Sequence, residues 1–102
     1  MQPYELTSSA QEDLKEIARY TLTKWGKQKA LHYAGVLDTR FREIATGTVH
    51  SRSLLKNYPQ VMVNRCEHHY IFYVHPEGKP PQIIAVLHER MDLLTRLKNR
   101  LD

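Results

Sequence analysis

This chain is short of cysteine, of long apolar runs and of anything resembling a leader or a linker, and each shortage removes a class of protein. Its lone cysteine, Cys66, cannot form an internal disulfide. No apolar run approaches the roughly 18 residues that a membrane-spanning helix needs. The N-terminus has neither the basic start nor the apolar core of a signal peptide. These absences set the expectation of a cytoplasmic protein with no membrane association. No internal repeat, low-complexity tract or dividing linker is visible, and 102 residues with 41% hydrophobic content suffice for one core but not two. A single domain over residues 1–102 is expected. Lys plus Arg outnumber Asp plus Glu by 15 to 11, giving a formal charge of +4. That balance favours an acidic partner, either nucleic acid or an acidic protein surface.

The strongest local signal is Ile83-Ile84-Ala85-Val86-Leu87, which stops at His88-Glu89-Arg90-Met91-Asp92. An apolar pentapeptide reads as a strand buried on both faces, and polar groups at the end of such a rigid element are well placed to form a site. Tyr70-Ile71-Phe72-Tyr73-Val74 is a second strand, rich in aromatic and β-branched residues, and Val61 to Cys66 a third. The turn Pro76-Glu77-Gly78-Lys79-Pro80-Pro81 separates the last two strands. At the other end, Pro3 to Leu6 is a short strand with Tyr4 and Leu6 on one face, and Ser9 with Glu12 fits a capping box. Ala10, Leu14, Ile17, Ala18, Thr21 and Trp25 recur at helical spacing, with Gly26 placed to end that helix in a left-handed conformation. Ala30, Ala34, Leu37, Phe41, Ile44 and Ala45 mark a second helix closed by Gly47, so the pair forms a helical hairpin. Asp92 caps a last helix with Leu93, Leu94, Leu97 and Leu101 on one side, leaving Arg96, Lys98 and Arg100 for solvent or a partner. Residues 48–58 read as loop. The order β-α-α-β-β-β-α, with hairpin-linked late strands and helices gathered largely on one face, is an α+β fold with a mostly antiparallel sheet.

Four features bear on function, and each has a structural rival. His68, His69, His75 and His88 are a zinc-like inventory, but neighbouring strand residues point to opposite faces and no second Cys or carboxylate stands at ligand spacing. No metal or other cofactor is expected. His88, Glu89, Arg90 and Asp92 could supply an acid, a base and a phosphate clamp. Against this, Asp92 serves as a helix cap, Met91 plugs the core, and Glu89 pairs with Arg90 or Lys98. His88 and Arg90 have no such structural duty. The basic set Arg65, Arg90, Arg96, Lys98 and Arg100 could be a footprint for nucleic acid or an acidic enzyme surface, or simply a solvated face. Aromatic interleaving there is limited to Tyr70 and Tyr73. The hairpin carries Trp25, His32, Tyr33 and Phe41, which either fill the core or leave an apolar groove for a partner helix.

Several segments carry a family resemblance. Pro3-Tyr4-Glu5-Leu6-Thr7, the pattern from Asp13-Leu14 to Ile17 with Tyr20-Thr21, and the Trp25-Gly26 turn are three of them. Above all, Arg65-Cys66-Glu67-His68-His69-Tyr70-Ile71-Phe72 and Leu87-His88-Glu89-Arg90-Met91-Asp92 resemble ParE toxins of the RelE/ParE superfamily. The likeness runs end to end and is closest to the plasmid-stabilisation ParE toxins, whose C-terminal half shares the run through Thr95-Arg96-Leu97.

The resemblance implies a non-enzymatic toxin of a type II toxin–antitoxin system that poisons DNA gyrase and is neutralised by a ParD antitoxin, whose disordered C-terminal segment folds on binding. Operator DNA would be contacted only through the antitoxin complex. The superfamily's other branch, RelE-like ribosome-dependent mRNA endonucleases, is the alternative; the Arg-rich tract followed by Tyr that many of them carry is missing after Leu87. Within the ParE reading, the residues expected to contact the target are Arg65, Tyr70, His88, Arg90, Arg96 and Arg100. Those expected to bind antitoxin are Trp25, Tyr33, Leu37 and Phe41, and no catalytic residue is assigned.

Overall fold

The computed structural model describes residues 3–53 and 55–101. Its elements are β1 (Glu5–Leu6), α1 (Ser8–Trp25), α2 (Lys27–Thr46), β2 (Met62–Cys66), β3 (His69–Val74), β4 (Gln82–His88) and α3 (Leu93–Leu101). The order is the expected β-α-α-β-β-β-α, and the class is α+β. The sheet runs β1-β4-β3-β2, with β4 parallel to β1 and the other pairings antiparallel.

Local chemistry sets the boundaries of the hairpin. Thr7, in an extended conformation, is the N-cap of α1, and its hydroxyl accepts from the Ala10 amide at 3.1 Å. The expected Ser9–Glu12 capping box is therefore displaced: Ser9 lies within the first turn, and Glu12 pairs with Lys15 at 3.3 Å. Gly26 alone joins the helices. Its amide donates to Leu22 O and its carbonyl accepts from the Ala30 amide, so one residue caps both helix ends. Its φ of 94° needs glycine, but its ψ of 172° is not the expected left-handed helical value. Gly47, with φ 74° and ψ 20°, does close α2 in the left-handed form.

Two apolar layers sandwich the sheet. Ala10, Leu37, Phe41 and Ile44 of the hairpin bury Tyr4, Ile71, Tyr73, Ile83 and Val86 on one face. On the other face Leu97 of α3 covers Val61, Val63, Phe72, Ala85 and Leu87. The two long helices gather on one face, as expected of most of the helical layer, while the short α3 lies on the reverse. A register shift at Phe72/Tyr73 lets Ile84 and Ala85 both turn to that reverse layer, which gives α3 a continuous apolar floor. Of the four leucines expected on one side of α3, Leu97 is buried whereas Leu94 is exposed. Met91, expected to plug the core, is also exposed, since it precedes α3 in a turn that the helix does not cover.

Because β1 pairs only with Gln82 and Ile83, the remaining edge of β4 would be open. It is closed by side chains. The Val86 amide donates to Asp13 Oδ2 at 2.9 Å, while Arg100 Nη1 donates to Ile84 O at 3.1 Å. The same guanidinium grips Asp13 with two bonds of 2.5 and 2.6 Å. Arg100 is therefore not left for solvent or a target, as its position on the polar side of α3 implied. It ties α3 to α1 around the sheet edge. The bond to Asp13 raises its already high pKa despite partial burial. Removing one partner strands a half-buried charge, so Arg100→Ala should lower the unfolding free energy by about 3 kcal/mol. Urea denaturation checks this; a loss no greater than that of Lys98→Ala would mean the pair is an ordinary surface contact.

Candidate functional site

The antiparallel ladder brings the expected residues together at one end of the sheet. Arg65 on β2 faces Tyr70 on β3, and His69 faces His88 on β4. The Arg65 guanidinium lies 5.7 Å from the Tyr70 ring centroid and reaches both oxygens of Glu89 at 3.3 Å. Glu89 is fixed from two further sides: its amide donates to His68 O at 2.9 Å, and its carboxylate meets His68 Nδ1 at 3.4 Å. Glu89 therefore pairs with Arg65 and His68 rather than with Arg90 or Lys98, because the β2–β3 turn at Glu67-His68 folds beside the end of β4. Partial burial pushes its carboxyl up, but the His68 contact and the Arg65 and histidine charges outweigh that and hold it below its usual range.

Three imidazoles share this end. His69 meets His88 edge to face at 5.1 Å, and His68 stacks over His88 at 6.4 Å. His68, in the β2–β3 turn, is exposed, and His69, which opens β3, is buried. Among the described residues, no group of three or more His, Cys, Asp or Glu is placed to hold a metal ion. Each ring has a tether. The Arg90 amide donates to His88 Nδ1 at 3.1 Å. Tyr33, on α2, holds His69 Nδ1 through its hydroxyl at 2.5 Å. Burial lifts the Tyr33 phenol to about 12, so it stays protonated where it meets the His69 ring.

Tyr33 thus belongs to the sheet-end cluster as well as to the hairpin, a link that helical periodicity could not reveal. Glu89, His68 and His69 are likewise structural members of the cluster beyond the six residues expected to contact a target. Arg90 and Arg96 are exposed, and among the described residues neither side chain is taken up in a hydrogen bond or ion pair. Asp92 caps α3, receiving the Thr95 hydroxyl at 2.8 Å and its amide at 3.3 Å; those bonds hold its carboxyl below the usual range. The end of the sheet is therefore a patch with fixed imidazoles and one neutralised arginine, with the exposed Arg90 just after β4 and the exposed Arg96 on α3.

The four residues expected to bind antitoxin separate. Leu37 and Phe41 are 2% exposed and belong to the core, which corrects their reading as freely presented contacts. What remains of their surface, with Tyr33, floors an apolar cleft of about 130 Å³ between α1 and α2, rimmed by Leu14, Ile17, Ala18, Ala30 and Ala34. Trp25 is not in the core. It is 55% exposed as the last residue of α1, at the tip of the hairpin beside Gly26.

His69 makes folding sensitive to acid. Burial pushes its pKa from 6.5 to about 4, helped by His88 and His68 and opposed by Glu89 and Asp13. The unfolded chain therefore takes up the proton first, so the stability this ring contributes is complete above about pH 6.5 and is lost as pH falls toward 4. Unfolding free energies from urea titrations across that window should fall by roughly 2 kcal/mol, the full shift discounted for the water that still reaches the ring. His69→Gln should remove most of that slope. An unchanged slope in the variant would assign the acid sensitivity to other groups.

The comparisons with known proteins agree with this architecture. Residues 4–93 match the family model described as ParE toxin of type II toxin-antitoxin system, parDE. A protein named Toxin ParE from Escherichia coli is 40% identical over 101 residues, spanning 99% of this chain and 98% of that protein. A solved structure titled Chromosomal ParDE TA system from P. aeruginosa shares the fold with a TM-score of 0.71 at 19% identity, covering 83% of this chain and 92% of that one. The end-to-end sequence match and the shared fold place this chain in the ParE toxin family of type II toxin–antitoxin systems.

Proposed function

We propose that this ParE toxin acts without catalysis, by gripping DNA gyrase through the end of its sheet, and that a ParD-like antitoxin neutralises it by occupying the helical hairpin. The observation that carries the first half is the state of the titratable groups. The Nδ1 atoms of His69 and His88 are already engaged, Glu89 is locked between Arg65 and His68, and the free groups are the cations Arg90 and Arg96. Such a surface offers fixed donors and positive charge to an acidic enzyme or its bound DNA. His88, Arg90, Arg96, Arg65 and Tyr70 are the target-contacting residues in this reading. Arg100 serves it indirectly, by anchoring α3.

For the antitoxin, the cleft between α1 and α2 has the dimensions and apolar lining that suit side chains of an amphipathic segment laid along the hairpin. Trp25 sits at the open tip, where the segment's end would cover it. Operator DNA would then be contacted by the antitoxin part of the complex, and a gyrase target locates the protein in the cytoplasm. Among the described residues no helix is long and apolar enough to cross a membrane.

The His68–Glu89 pair beside His88 keeps a second reading in view, a RelE-like mRNA endonuclease, and one experiment separates the two. Purified chain is mixed with gyrase, ATP and supercoiled plasmid, and in parallel with translating ribosomes. Accumulated cleaved plasmid is expected; cut messenger with untouched plasmid would reverse the assignment. Arg90→Ala with Arg96→Ala should reduce cleaved plasmid by about tenfold or more, as loss of two interface cations of 1 kcal/mol or so each implies. Circular dichroism and antitoxin binding should stay native. Undiminished cleavage by that folded variant would remove these arginines from the contact.

A further inference from the structure

The sheet end does not hold the chain's surplus charge; the hairpin tip does. Residues 17–37 contain Arg19, Lys24, Lys27 and Lys29 and no acidic residue, and taking those four from the fifteen basic residues leaves eleven against eleven acids elsewhere. All four are exposed, and among the described residues none of them enters an ion pair. The tip also presents aromatic rings. Tyr20 is 58% and Trp25 55% exposed, far beyond what core packing asks of such residues. Lysine and ring are interleaved: Lys24 Nζ lies 5.5 Å from the Tyr20 centroid and 5.6 Å from that of Trp25, and Lys29 Nζ lies 5.3 Å from Trp25.

An exposed indole with two ammonium groups drawn over its ring, in a stretch without acidic residues, suits unpaired nucleic acid: an incoming base displaces the lysines from the ring, and they move to its phosphates. Bases stack on the ring whatever their sequence, and phosphates meet the cations. We propose that the tip of the α1–α2 hairpin binds single-stranded nucleic acid, with Trp25 stacking on a base and Lys24 and Lys29 on the flanking phosphates. Tyr20 offers a second platform. A duplex could engage only the lysines, since its bases are stacked internally. An anionic membrane fits less well, because sinking Trp25 into acyl chains would draw two ammonium groups out of water. An acidic peptide would satisfy the lysines but leave the indole unstacked. The surface is separate from the sheet end and does not depend on gyrase being the target. It does overlap the end of the antitoxin cleft, so an antitoxin lying there would compete with the nucleic acid.

Trp25 is the chain's single tryptophan, so its own fluorescence reports on the site. Titration of the purified chain with oligo(dT) or oligo(rU) of about 12 nucleotides should quench that emission, and anisotropy of labelled oligonucleotide should give the affinity. The two sugars should bind alike, because stacking and phosphate contact involve neither. Trp25→Ala should weaken binding about tenfold while circular dichroism stays native, with Trp25→Phe intermediate. Lys24→Ala with Lys29→Ala should reduce the log–log salt slope by about 1.4, two phosphates' worth on a single strand. Equal affinity of wild type and Trp25→Ala would overturn the proposal, as would equal affinity for duplex of the same length. A blue shift with phosphatidylglycerol vesicles or a response to poly-glutamate, in the absence of any response to oligonucleotide, would also overturn it and identify the partner class instead.

Discussion

The bidentate pairing of Arg100 with Asp13 is the contact on which the rest of the molecule depends. The short β1 leaves most of one edge of β4 without a strand, and bare amides and carbonyls at that edge would invite wetting or pairing with another chain. Asp13 takes the Val86 amide, Arg100 takes the Ile84 carbonyl, and the two groups then neutralise one another. One interaction thereby satisfies the edge, fastens α1 and α3 to opposite faces of the sheet, and fixes the strand whose last residue, His88, enters the candidate surface.

From that fixed strand the sheet end follows. The β2–β3 turn meets the end of β4 through the bond from the Glu89 amide to His68, and the carboxylate of Glu89 then holds Arg65 and His68 in place. Tyr33 adds a tether from the hairpin to His69. The imidazoles are positioned by neighbours rather than free to turn, which suits a recognition surface. The two arginines beyond them stay solvated, where the entropy of long side chains is spent only when a partner arrives. Positive charge is thus divided between two places with different companions: imidazoles and a carboxylate at the sheet end, exposed aromatic rings under lysine ammonium groups at the hairpin tip.

Much of this was legible in the sequence, for reasons that vary by element. β3 and β4 announce themselves by dense β-branched and aromatic residues, and the hairpin by apolar spacing that ends at Gly47. Helical periodicity shows which side of α3 is apolar but not which face of the sheet it seeks, so the placement of α3 on the reverse layer was out of reach. Arg100 and Asp13 stand 87 residues apart, and no local pattern joins them. Trp25 and Met91 look like core residues by type, and only their places at the hairpin tip and in the turn before α3 account for their exposure. The approach of Arg65, Tyr70 and His88 could be anticipated from antiparallel pairing, whereas the Tyr33–His69 bond crosses from helix to sheet and could not.

In the proposed function two separate surfaces serve two partners, the sheet end for gyrase and the hairpin for antitoxin. Amide hydrogen exchange of the chain bound to gyrase, set beside the same chain bound to its antitoxin, tests it most directly. Gyrase should slow exchange at residues 65–70 and 88–96 and leave the 14–37 stretch unchanged, while the antitoxin should do the reverse. Gyrase protection confined to the helical hairpin, with the sheet end exchanging as in the free protein, would contradict the account.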